Sequence, residues 1–242
     1  MTVVNPPDTR LRPLLTRDYL HYRQAAADGA VWLSTPSSVV TLIINLGDAF
    51  GGLPSAFVAG LTDHGDLVDQ RGEIDCLDLK LTPLGAYRLF GVPMSELTNQ
   101  VVDLADLATV RPDHLDEDLL RLAGAGPDPA PEVAWVWRRL AETHGNVPIA
   151  ALAAEVGWSR RHLANRFHAQ VGLPPKTAAR ILRFEELTRR LPTAPRAVDA
   201  ALACGYYDQA HMNRDFREFA GTTPGEYLRR FPSVQYPWTP LP

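Results

Sequence analysis

The chain has two cysteines in 242 residues, Cys76 and Cys204, one in each half. Two isolated thiols make neither a disulfide framework nor the clustered ligand set of a metal site. Cys76 has no activating His or Arg beside it in sequence and reads as an ordinary thiol. No apolar run approaches the ~20 residues needed to cross a bilayer. Met1 is followed by polar and proline residues rather than a basic stretch and an apolar core, so no secretory leader is expected. A reducing cytoplasm is the compartment these absences imply. Catalytic signatures are missing too: no paired carboxylates, Cys/His pair or nucleophile elbow stands out. The glycines of GDAFGG (47–52) lack the Lys-Ser/Thr of a phosphate loop and read as a hairpin connection. Asp63-His64-Gly65-Asp66 reads as a polar surface turn. The chain is therefore not expected to be an enzyme, and neither metal nor cofactor is expected.

Charge is unevenly distributed. Residues 1–130 carry 9 Lys+Arg against 18 Asp+Glu, a net of −9, whereas residues 131–242 carry 15 against 10, a net of +5. An acidic half joined to a basic half points to nucleic acid as the partner of the second. Lysine is scarce there, Lys176 being its only one.

The basic half contains one pattern twice. Ile149, Leu152, Ala153 and Val156 recur at helical spacing, Gly157 permits a tight turn, and Ser159 stands at an N-cap position. A second helix then carries Leu163, Phe167 and Val171 on one side and Arg160, Arg161, Ala164, Asn165 and His168 on the other. Gly172 and Pro174 end it. The second copy places Val198, Ala201 and Leu202 on an apolar stripe, Gly205 in the turn and Asp208 at the N-cap. Met212, Phe216 and Phe219 face inward, Gln209, Asn213, Arg214 and Arg217 outward, and Gly221 closes. With the turns aligned, Leu163 falls opposite Met212 and Phe167 opposite Phe216, with one extra residue in the second turn. Each copy reads as a helix-turn-helix whose second helix fits a major groove.

The runs AALAAEVGWSRRHLANRFHAQVGLPP and AVDAALACGYYDQAHMNRDFREFAGTTPGEYLRR resemble the AraC/XylS family of bacterial transcription regulators over roughly Glu132 to Arg230. The resemblance implies two recognition helices, joined by a long helix (here residues 174–191), that read successive major-groove segments of double-stranded DNA. Segments about one turn apart lie roughly 34 Å from each other, and heads held closer would require bent DNA. Arg161 and Asn165 are expected at base edges, Ala164 at a thymine methyl, and Arg160 and Arg166 nearer phosphate. In the second helix Gln209 and Asn213 are the expected base readers, with Arg214 and Arg217 at bases or backbone. The family frequently has longer side chains where Ala164 and Asn165 stand, which shortens the reach there. The other class of function weighed is a protein-binding helix-turn-helix module without DNA contact.

Upstream, residues 1–28 read as an irregular lead-in with an amphipathic piece around Tyr19–Tyr22. Strands follow at AVWLS, SVVTLIINL and SAFVAG. From Cys76 the alternation predicts Leu77, Leu79 and Leu81 inward with Cys76, Asp78 and Lys80 outward. Pro83 opens a helix ending at Gly91, and shorter helices follow. The expected domains are an α+β sensor or dimerisation half at 1–123 and a Gly/Pro linker at 124–131, too rich in breakers for helix or strand. An all-α DNA-binding half at 132–231 and an irregular tail at 232–242 complete the chain. The resemblance implies a cupin-like β-structure for the first half. It also implies an effector, a second copy of the chain and RNA polymerase as further partners, with no membrane among them.

Overall fold

The computed structural model describes residues 2–25, 30–47, 52–70 and 73–230. Its N-terminal half is strand-rich: β1 (Thr2–Asn5), β2 (Tyr19–Ala25), β3 (Ala30–Ser34), β4 (Val40–Asn45), β5 (Ala56–Ala59), β6 (Asp66–Gln70) and β7 (Glu73–Leu81), then helix α1 (Pro83–Phe90) and β8 (Val101–Asp103). Six strands form one antiparallel sheet in the order β1-β2-β7-β4-β5-β8, while β3 and β6 pair separately. Helices α2 (Leu104–Leu107) and α3 (Leu115–Ala125) close this half. Only helices follow: α4 (Pro131–Glu142), α5 (Ile149–Glu155), α6 (Arg160–Val171), α7 (Pro175–Arg190), α8 (Ala197–Ala203), α9 (Gln209–Ala220) and α10 (Pro224–Arg230). This is the expected order, a strand-rich half and then an all-α half with two helix-turn-helix units joined by a long helix.

Three expectations need correction. The lead-in is not irregular: β2 pairs with β1 on one side and β7 on the other. Its sequence, YLHYRQA, is too polar to announce an interior strand, and its place is set by its neighbours. Second, Cys76, Asp78 and Lys80 do not face outward, since all three are buried along with Leu79 and Leu81. Strand β7 lies between β2 and β4 and both its faces are dry. Leu79 and Leu81 join the main core, while Cys76 packs with Ile43, Phe57 and Ile74 on the other face. Period-two alternation identifies residues that share a face, but not which faces are covered. The buried charges pair: Arg17 donates to Asp78 at 3.0 Å, and Lys80 lies 3.6 Å from Asp78 and donates to Thr41 at 2.7 Å. Burial lowers the Lys80 ammonium to about 8 and pushes the Cys76 thiol up to about 12.

Third, the breaker-rich stretch 124–131 is partly helical. Gly124 and Ala125 complete α3, Gly126 caps it, and Pro131 opens α4. Glycine is tolerated in a last turn and proline at a first position, where its missing N–H is no loss. The stretch is also tied down. Arg88 donates to the Ala123 carbonyl at 2.9 Å, a Cβ on Gly126 would collide with the Arg88 carbonyl oxygen, and the Ala130 N–H donates to Gln170 at 3.0 Å. The proline-rich tail lies outside the described residues, as does most of the GDAFGG connection.

The two halves meet at further points. Thr98 donates to the Gly172 carbonyl at 2.5 Å, and the Ser38 N–H donates to the Glu185 carboxylate on α7 at 2.7 Å. Gly65 approaches the Phe219 carbonyl so closely that a Cβ there would overlap it. Its neighbour His64 lies between Asp63 at 3.2 Å and Asp66 at 3.3 Å.

Two predictions follow from this packing. Burial raises the Glu185 carboxyl from its ordinary 4.5 to about 7, against the opposing pull of the Ser38 hydrogen bond. The folded chain therefore keeps a proton that the unfolded chain loses between these values. The stabilisation is complete below about 4.5 and is lost as pH rises through 7. Thermal melts at about pH 5.5 and 8 should show a fall in midpoint that shrinks in Glu185→Gln. Phe184, fully buried, sits edge-on to Phe216 and Phe219 at 4.9 and 5.3 Å. Phe184→Ala should cost about 3–5 kcal/mol in urea unfolding.

Candidate nucleic-acid interface

The two helix-turn-helix units are built alike. In each, a seven-residue helix precedes a twelve-residue one: α5 before α6, and α8 before α9. Gly157 and Gly205 turn the chain at φ +69° and +79°. Ser159 caps α6 by accepting from the His162 N–H at 3.2 Å, and Asp208 caps α9 by accepting from the His211 N–H at 2.7 Å. Such caps contribute about 1 kcal/mol each. An aromatic side chain meets the third helical residue edge-on in both, Trp158 against His162 and Tyr206 against His211. The extra residue of the second turn is Tyr207, which is 88% exposed. Gly172 and Gly221 close the helices at φ +103° and +64°.

The inward faces follow the apolar spacing. Leu163, Phe167 and Val171 are buried on α6, as are Met212, Phe216 and Phe219 on α9. Trp137 of α4 lies 6.3 Å from Phe167, and Tyr227 of α10 lies 5.5 Å from Phe216. Leu202 is the exception: it is 56% exposed, whereas Ala200 and Ala201 are buried. A seven-residue helix has one narrow inward face, and the neighbouring alanines already fill it.

Opposite the buried face of α6, Arg161, Asn165 and His168 are exposed, with Ala164 half-buried at the margin, while Arg160 in the first turn and Arg166 at the side are exposed nearer the inward face. A rotation of 100° per residue places Arg161 and Asn165 at the centre of that face and Arg166 toward its far edge. On α9, Gln209, Arg214 and Arg217 are exposed and Asn213 is half-buried. Counted from the caps, Arg214 corresponds to Asn165, Asn213 to Ala164, and Ala210 to Arg161. The second unit thus presents a methyl group where the first presents a guanidinium.

The arginines of the C-terminal half divide sharply. Arg138 and Arg139 pair with Glu142, Arg180 with Asp215 and Glu218, Arg189 and Arg190 with Glu186, and Arg196 with Asp199. Arg183 and Arg229 donate to the Gly145 and Gly225 carbonyls. The side chains of Arg160, Arg161, Arg166, Arg214 and Arg217 form no hydrogen bond or salt bridge among the described residues, although Arg214 lies within electrostatic reach of Glu218. All five lie on α6 or α9. An unpaired guanidinium keeps its full set of donors for an external acceptor, and it matches phosphate and guanine edges in geometry.

The connecting helix holds the units in place. Arg180 donates to Asp215 at 2.8 Å and to both Glu218 oxygens at 2.8 and 2.5 Å, with its guanidinium 4.8 Å from the Phe219 ring centroid. The Glu218 hydrogen bond raises Arg180 above its ordinary value, and Arg180 in turn holds Glu218 below its own. On the other side, Gly145, at φ +71°, lies so close to the Ala179 carbonyl oxygen that a Cβ would overlap it. Sequence reasoning overlooked Lys176, Arg183 and His211, which line a cleft between these units. The spacing Lys176, Arg180, Arg183 marks one face of α7 and was the available signal.

Residues 152–230 match the family described as a helix-turn-helix domain, and residues 4–103 match the one described as domain of unknown function DUF6597. The chain is 33% identical over 106 residues to the uncharacterized HTH-type transcriptional regulator YbfI of Bacillus subtilis, a match covering 41% of this chain and 38% of that protein. It is 30% identical over 82 residues to the HTH-type transcriptional regulator MtrA of Neisseria gonorrhoeae, covering 34% of this chain and 27% of that one. The matches thus span well under half of either relative. ToxT of Vibrio cholerae superposes with a TM-score of 0.47 at 10% identity, over 87% of this chain and 98% of that one. With a duplicated, capped helix-turn-helix and the family match over the same residues, the C-terminal half of this chain carries an AraC-type helix-turn-helix domain.

Proposed function

We propose that the chain is a sequence-specific transcription regulator that binds double-stranded DNA through both helix-turn-helix units. The observation that carries this reading is that, among the described residues of the C-terminal half, the arginines without a hydrogen bond or salt bridge lie on α6 and α9. A protein-binding face would offer aromatic or aliphatic anchors, and among the described residues of this half the exposed large apolar side chains, Leu202 and Tyr207, lie on α8 and its turn rather than on α6 or α9. Arg161 and Asn165 read base edges from the centre of the first face, Ala164 meets a thymine methyl, and Arg160 and Arg166 take phosphate. On the second helix Gln209 and Asn213 read bases while Arg217 and Arg214 secure the helix in its groove. The strand-rich half binds an effector or a second copy of the chain, and RNA polymerase is a further partner of the bound complex.

Selection of the full-length protein against a randomised duplex pool tests the reading. Two enriched blocks about 10 base pairs apart, with affinity falling steeply as salt rises, are the expected result. A single block would remove one helix from the reading role. No enrichment and a flat salt response would sink the proposal and favour a protein partner. Within the selected site, Arg161→Ala should cost about 1–3 kcal/mol at its own base pair and relax preference there. An equal loss on every sequence would make Arg161 a phosphate contact instead.

A further inference from the structure

A cleft of about 540 Å³ opens between the two units, walled by the 145–149 turn of the first, one face of α7, and α9 of the second. Its chemistry is one-sided. Two acids line it, Asp215 and Glu218, and Arg180 occupies both. The cations that remain form no salt bridge among the described residues. Lys176 is exposed and has no partner among the described residues, and Arg214 forms no salt bridge there, feeling only the charge of Glu218. Arg183 donates to the Gly145 carbonyl at 3.1 Å, while its buried Nε has no hydrogen-bond partner. His211 adds a ring from the first turn of α9. Three elements thus converge on an open space with donors and positive charge to spare, the inverse of an anion's surface.

The position of the cleft identifies the anion. It lies between the 145–149 turn of the first unit and α9 of the second, on the α7 face that joins them, and Arg214 belongs both to it and to the exposed face of α9. Where a duplex presents successive major-groove segments to one side of a protein, the minor groove and its flanking backbones face that side between them. We propose that the cleft is a phosphodiester-binding site that seats the DNA backbone midway between the two segments, with Lys176, Arg183 and Arg214 as donors. This assignment rests on the DNA-binding reading above and adds to it a third point of attachment, one indifferent to sequence.

The test uses full-length protein and its selected duplex, titrated by fluorescence anisotropy across a salt series. Lys176→Ala should weaken binding to every duplex by the same factor, reduce the log–log salt slope by about 1, and leave the selected sequence unchanged. Replacing intervening phosphates one at a time by neutral methylphosphonates should reproduce that loss at one position. There the variant should lose nothing more. Unchanged affinity and slope in Lys176→Ala, with the parent still binding specifically, would overturn the cleft assignment while leaving the DNA reading intact. Protection of the parent from thermal unfolding by inorganic phosphate, with no effect from any methylphosphonate, would reassign the cleft to a free anion and also overturn it. A parent that binds no duplex would remove both proposals together.

Discussion

The grip of α7 on its two neighbours is the constraint on which the C-terminal half depends. One face of this helix carries Phe184 into the rings of Phe216 and Phe219, and Arg180 onto Asp215 and Glu218. An adjacent face receives Gly145 against the Ala179 backbone and sends Arg183 to the Gly145 carbonyl. The first contact is aromatic and ionic. The second is a backbone approach that only glycine permits, in both its space and its positive φ. Neither unit can turn about α7 without breaking one of them. Asp215 is almost fully buried, so losing Arg180 would leave an uncompensated charge inside the fold.

The same helix also fixes the N-terminal half, because Glu185 accepts from the Ser38 backbone. With Thr98 on Gly172 and Ala130 on Gln170, the strand-rich half touches the first unit, the connecting helix and, through Gly65, the second unit. The stretch around Gly126 and Ala130 therefore works as a docked strap rather than a free tether. A domain held at so many points shares its conformational changes with what it touches. That is the physical route by which a change in the strand-rich half reaches α6 and α9.

Much of the second half is legible in its residues because local rules act strongly there. Ser159, Asp208 and the closing glycines announce helix ends, and Leu163, Phe167, Met212 and Phe216 announce their buried faces by spacing alone. The outward faces were readable by complement. Sequence does not disclose pairing: nothing local distinguishes Arg180, clamped by two acids, from Arg214, which forms no salt bridge among the described residues, and their difference depends on contacts between units. Leu202 shows the limit of a stripe read on a short helix. In the N-terminal half the determining interactions are non-local. β2 is a strand because β1 and β7 flank it, and Asp78 and Lys80 are buried because they meet each other and Arg17.

The seam between the halves uses little of what the exposed faces display. On α6 and α9 its polar and closest contacts include the buried Gln170 amide and the main-chain oxygens of Gly172 and Phe219, all near the C-terminal ends. Side chains such as Arg161, Asn165 and Gln209 take no part in it. Their identities are therefore free variables of the architecture. A descendant or an engineered variant can exchange them one by one while the strand-rich half keeps its hold on α6 and α9 unaltered, and under the proposed DNA-reading role each exchange would change the target.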